Sequence, residues 1–151
     1  MSTYTQILYQ IVFSTKYRKP SIELNSIHRL NLFIKQLLEN KKCHAYIVNG
    51  TRDHIHIITH LHPTVSLSSL VKDIKVSSRK FIKEFDLFPK FGGWQNGYAA
   101  FTYDQSSKEN LISYVANQIE HHEKVNYKKE LSLMLKRHDV LYDPNYFPEK
   151  E

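Results

Sequence analysis

The chain is short of the residues that staple, interrupt or span. Its one cysteine, Cys43, excludes an intrachain disulfide and any cysteine-rich zinc framework, and fits a reducing compartment. Cys43 therefore reads as a small buried hydrophobe. Only 4 Gly and 5 Pro in 151 residues exclude a linker-like or disordered class. No stretch reaches the roughly 18 apolar residues that a membrane span needs. The opening "MSTYTQILYQIVFSTKYRK" has no basic stretch ahead of an apolar core and is interrupted by Gln10, so no signal peptide is expected. The expectation is a soluble, cytoplasmic protein.

What is present suits one domain over 1–151, with a core over about 4–126 and a C-terminal helix and tail over about 127–151. Apolar residues at 41% and charged ones at 24% are sufficient for a single core. Lys and Arg outnumber Asp and Glu by 21 to 15, a formal charge of +6, which favours a polyanionic partner such as nucleic acid or an acidic membrane surface.

Hydrophobic period orders the elements. Ile7, Tyr9, Ile11 and Phe13 alternate with Gln6 and Gln10, the pattern of a strand with one buried face. From about Ser21 to Lys42, Ile27, Leu30, Phe33 or Ile34, and Leu37 or Leu38 recur at helical spacing. "CHAYIVNG" and "HIHIITHL" read as an antiparallel hairpin around Asn49 and Gly50. Ser66 to Phe85 carries Leu67, Leu70, Ile74, Phe81 and Phe85 on one helical stripe. An aromatic strand follows the Asn96-Gly97 turn, and Ser106 with Glu109 has capping-box spacing for a further helix. Tyr127 to His138 reads as one more helix before an irregular tail. The order βαββαβ followed by helix predicts an α+β, ferredoxin-like (RRM-like) antiparallel sheet, with helices on one face and the other face open.

In the third strand Ile55, Ile57 and Leu61 face the helices, which puts His54, His56, His60 and His62 on the open side. His54 and His56 project from one side at about 7 Å between Cα atoms, close enough to ligate one cation. A solvated sheet face accommodates the same residues, so a metal site needs a third ligand and a reactive group from elsewhere. His60 and His62, near the strand end, read as plain polar residues.

On "LISYVANQIEHH", Leu111, Ile112, Val115 and Ile119 form a docking stripe, while Tyr114, Gln118 and His121 cluster beside it. Tyr114 and Gln118 are one turn apart at the margin of the docked face, where a hydroxyl and an amide can share a substrate. An amphipathic edge tyrosine, and solvated histidines at His121 and His122 near a helix C-terminus, account for the same spacing.

These stretches together resemble the single-tyrosine transposases of short bacterial insertion sequences, within the histidine-hydrophobe-histidine (HUH) nucleases. The resemblance runs through "YQIVFSTKYRKPSI", "VNGTRDHIHIITHL", "VKDIKVSSRKFIKEF", "GGWQNGYAAFTYDQSS" and "YVANQIEHH". It implies that His54, His56 and Gln118 bind a divalent metal, Mg²⁺ or Mn²⁺, with His122 a rival third ligand, and that Tyr114 is the nucleophile. It also implies a bacterial enzyme acting on single-stranded DNA at hairpin-marked ends, as a homodimer whose active sites are often completed in trans. No nucleotide cofactor is implied, because a phosphotyrosine retains the bond energy for resealing.

Lys72, Lys75, Arg79, Lys80 and Lys83, with Lys16, Arg18 and Lys19, are candidates for phosphate contacts or simply a solvated helix face. Trp94, Tyr98 and Phe101 suit base stacking or the core, and His121 and His122 complete the candidate DNA-binding set. The same fold order serves non-catalytic RNA- or DNA-binding modules, which need aromatics on the open face. Related HUH replication initiators or relaxases share the chemistry but need appended domains.

Overall fold

The computed structural model describes residues 2–122 and 125–143, without the side chain of His122. Four strands, β1 (Leu8–Ser14), β2 (Ala45–Gly50), β3 (His54–His60) and β4 (Ala99–Tyr103), form one antiparallel sheet in the order β2-β3-β1-β4. Among the described residues, five α-helices accompany them: α1 (Ile27–Asn40), α2 (Leu67–Glu84), α3 (Lys108–Ala116), α4 (Gln118–His122) and α5 (Tyr127–Arg137). The architecture is the α+β arrangement expected from the element order. The expected first helix starts later than Ser21, at Ile27, and Ser21 and Ile22 are buried in irregular chain before it.

One sheet face carries Ile11, Phe13, Val48, Ile55 and Ile57, which pack with Leu30, Ile34 and Leu38 of α1 and Leu70, Ile74 and Ile82 of α2. Cys43 is buried in this core. Ser66 caps α2 by accepting from Ser69 N–H. Phe85 stands 52% exposed at the C-cap, beyond the stripe that spacing assigns it.

The second face is closed, which corrects the expectation of an open one. Leu8 and Ile58 pack with Val115 of α3. Val12 and Phe101 pack with Tyr127, Met134 and Leu135 of α5. The reason lies in β1 and β3, where Leu8, Val12 and Ile58 are apolar at positions a solvated face would leave polar. A strand apolar at both parities needs a cover on both sides. Gln10, His54 and His56 are consequently sealed in, at 1%, 0% and 0% exposure.

Three local differences from the sequence reading concern the late helices. Ser106 donates to Asp104 Oδ2 instead of capping α3, which begins after a 3-10 turn over Gln105–Ser107. The helix expected through His122 breaks at Asn117, which takes φ −98° and ψ 19° as the C-cap of α3. Ile119 lies beyond that break and is 38% exposed, so the docking stripe ends at Val115.

Candidate active site

The tight β2–β3 connection sets the histidines. A Cβ on Gly50 would lie 2.2 Å from the His54 carbonyl oxygen, so only glycine lets the hairpin close there. Period two along β3 then aims His54 and His56 at the second face, with ring centroids 5.1 Å apart.

Each ring is held through Nδ1. His56 Nδ1–H donates to Gln10 Oε1 at 2.9 Å, and Gln10 Nε2 in turn donates to the Tyr103 hydroxyl at 2.9 Å, which orients the amide. His54 Nδ1–H donates to Asp53 Oδ1 at 2.7 Å, with Thr51 Oγ1 at 3.2 Å. Both Nε2 atoms therefore face the cavity between sheet and helices.

Gln118 and Glu130 meet them there. Gln118 Oε1 lies 3.2 Å from His54 Nε2, and Glu130 Oε1 lies 3.0 Å from His56 Nε2 and 3.5 Å from His54 Nε2. Gln118 Nε2 donates to Glu130 Oε2 at 3.1 Å, so its oxygen is the atom turned to the histidine. Ligand atoms of His54, His56 and Glu130 all lie within 4.8 Å of one another, and all three residues are buried.

With both Nδ1 atoms protonated, two imidazole lone pairs, a carboxylate oxygen and an amide oxygen converge without a donor among them. A shared proton or a cation must lie between such acceptors. The donor set therefore fits a divalent ion, and two nitrogens with two oxygens suit Mn²⁺ at least as well as Mg²⁺. Burial alone would lower the pKa of His54, but hydrogen bonds and charge from Asp53 and Glu130 outweigh it and raise it to about 9.

Tyr114 completes the group. Its hydroxyl donates to Glu130 Oε2 and lies 3.3 Å from His121 Nε2, and its ring meets His56 edge-on at 5.9 Å. Burial first, and the Glu130 hydrogen bond second, push the phenol well above its ordinary pKa. Asn49 Nδ2 donates to Val115 O at 3.1 Å and Ala116 O at 3.4 Å, tying the end of α3, and Tyr114 with it, to β2. A cavity of about 570 Å³ between β4, α3 and α5 reaches Tyr114, His121 and Glu130 from outside.

His54, His56, Gln118, Tyr114 and His121 thus come together within one chain. The side chain of His122 lies outside the described residues. Glu130 is the residue that sequence reasoning missed. Its signal was a carboxylate on the buried stripe of α5, in register with Tyr127, Met134 and Leu135.

The cationic candidates are dispersed. Lys72, Arg79 and Lys80 are exposed on α2, with the sheet between them and the histidine pair. Lys75 is committed internally, its Nζ donating to Gln95 O at 2.8 Å and to Gly97 O, and burial lowers its pKa. Trp94 packs edge-on against Phe13 at 4.9 Å and donates Nε1–H to Ser78 Oγ, so it serves the first core. Phe101 is buried in the second. Lys16 and Lys19 are exposed in the turn after β1, and Arg18 is half-buried beside them.

Residues 3–118 match the family described as transposase, IS200-like. Over 117 residues the chain is 27% identical to the transposase for insertion sequence element IS200 of Salmonella typhimurium strain LT2, covering 74% of this chain and 76% of that one. A Salmonella typhi protein of the same description matches to the same extent. Among solved structures, a Deinococcus radiodurans R1 chain described as a transposase superposes with a TM-score of 0.61 at 20% identity, covering 78% of this chain and 95% of that chain. The REP-associated tyrosine transposase bound to a REP hairpin superposes at 0.59 and 16% identity, covering 100% and 98%. At those identities the likeness speaks for the fold.

Proposed function

The chain belongs to the IS200-like transposase family, and from that premise we propose that it cuts and rejoins single-stranded DNA beside a hairpin through a phosphotyrosine on Tyr114. The observation that carries the reading is the convergence of the Tyr114 hydroxyl with two imidazoles, an amide and a carboxylate in one buried cluster.

His54, His56, Gln118 and Glu130 would hold a divalent ion, Mn²⁺ or Mg²⁺. When bound it supplies charge that offsets what builds on the phosphate during displacement. Tyr114 Oη attacks the phosphorus while the bond to the 3′ oxygen breaks, leaving a 5′-phosphotyrosine and a free 3′ hydroxyl. The phenolic proton leaves towards Glu130 Oε2, its present hydrogen-bond acceptor, and the departing 3′ oxygen takes a proton from water. A 3′ hydroxyl from another strand then reverses the displacement, so no nucleotide cofactor is needed. The hairpin ligand of the structural relative supports the choice of substrate class.

Because α3 brings Tyr114 to the histidine pair of its own chain, the reading places attack within one subunit rather than in trans. The RNA-binding alternative loses its platform, since α3 and α5 cover the sheet face on which bases would stack. Incubation with hairpin-bearing single-stranded DNA and Mn²⁺, followed by mass spectrometry, should find a nucleotide adduct on Tyr114 that vanishes in Tyr114→Phe. An adduct of equal yield in that variant would end the proposal.

A further inference from the structure

The turn after β1 runs through the left-handed region at two successive residues that are not glycine, Tyr17 at φ 57° and Arg18 at φ 54°. Side chains adopt that conformation uncommonly, and such strain gathers where function fixes a geometry. Neighbours hold it here: Thr15 Oγ1 donates to Lys19 O at 2.7 Å, and Tyr17 N–H donates to Gln95 Oε1 at 2.9 Å. Arg18 is thereby set into the wall of a cavity of about 290 Å³, between the turn, the 95–98 loop and α5.

The Nε of Arg18 is buried and has no hydrogen-bond partner among the described residues. A buried donor on a charged group is costly to leave unmade, and a guanidinium fork fits phosphate oxygens. Lys128 adds a second cation to the lining, and Tyr98, 41% exposed, offers a ring. Lys75 fixes the loop that carries Tyr98 by binding the carbonyls of Gln95 and Gly97. Tyr127, also in the lining, stacks on the His54 ring at 4.6 Å, so this cavity adjoins the candidate metal cluster.

We infer that this cavity is a nucleotide subsite, in which an unpaired nucleotide flanking the scissile phosphodiester seats its phosphate on Arg18 and lays its base against Tyr98. The inference rests on the single-strand transposase reading for its role, but binding at the subsite requires neither Tyr114 nor a metal.

The test uses the ¹⁵N-labelled full chain carrying Tyr114→Phe, with EDTA present, titrated by NMR with dAMP, dGMP, dCMP and dTMP and separately with inorganic phosphate. At least one mononucleotide should give saturable shifts at the Arg18 Nε–H and the Gly97 and Tyr98 amides, at about ten-fold lower concentration than phosphate. Arg18→Gln should abolish those shifts. Tyr98→Ala, at an exposed position, should weaken them by about ten-fold or more. No saturable shift, an equal response to phosphate alone, or nucleotide binding unchanged in both variants would overturn the subsite. None of these readings depends on strand cleavage, so a failed adduct assay and a failed subsite are told apart.

Discussion

Glu130 Oε1 lies 3.0 Å from His56 Nε2, joining a residue of β3 and a residue of α5 across the seam of the second core. The other oxygen of the same carboxylate accepts from Tyr114 and Gln118. One side chain thus touches both the proposed nucleophile and the proposed ligand set.

Removing that carboxylate should be felt first in metal binding. Glu130→Ala should weaken Mn²⁺ affinity by more than about 100-fold, above the usual cost of losing a supporting hydrogen bond. Glu130→Gln retains an oxygen and should lose less. Calorimetric titration with Mn²⁺ decides, and wild-type affinity in Glu130→Ala would remove Glu130 from the ligand set.

Gln10 would act on a bound ion through His56. Gln10→Leu removes the acceptor of His56 Nδ1–H and frees the ring to exchange tautomers. Mn²⁺ affinity should fall roughly 10- to 100-fold while Tyr114 keeps its position. Imidazole ¹⁵N shifts should report the mixed tautomers, and a single unchanged tautomer would contradict this role.

The raised pKa of His54 has a definite sign. Its folded-state value of about 9 exceeds the ordinary histidine value of 6.5, so the protonated, metal-free site contributes stability in full below about pH 6.5. That contribution is lost as pH rises through about 9, at up to about 1.4 kcal/mol per unit. Urea unfolding in EDTA should show lower stability at pH 9.5 than at 6.5, with a smaller difference in Asp53→Asn. Equal pH dependence in the two proteins would separate the effect from His54. Since the proton must leave before an ion enters, Mn²⁺ binding should tighten over the same range.

Attack within one subunit predicts no rescue by mixing. Tyr114→Phe and His54→Ala combined should form no more adduct on hairpin-bearing single strands than either alone. Recovery of about a quarter or more of wild-type yield would instead require a tyrosine reaching across to a partner, as an exchange of halves by random pairing would give.

Much of the fold follows from hydrophobic period because its first core is regular. β1, the β2–β3 hairpin and α2 with its Ser66 cap have the simple spacings that spacing rules detect. The second core is harder to see, since Leu8, Val12 and Ile58 share their side of the sheet with Gln10, His54 and His56. A polar residue on a strand reads as solvent-facing unless the helix that buries it is known. The paired histidines stand out through a period of two, but Glu130 is 74 positions from His56 and meets it only because α5 folds back. The break at Asn117 and the competing Ser106 bond to Asp104 are local choices that an ideal helical wheel does not contain.

The second face is sealed by two small apolar patches rather than one continuous layer, one under α3 and one under α5. Small patches open at lower free energy than a large core, so α5 should exchange its amide hydrogens sooner than the central strands β1 and β3. Warming would then disarm the chain while its sheet is still intact, because lifting α5 withdraws Glu130 from the histidines. Loss of chemistry and loss of fold become two separate thermal events.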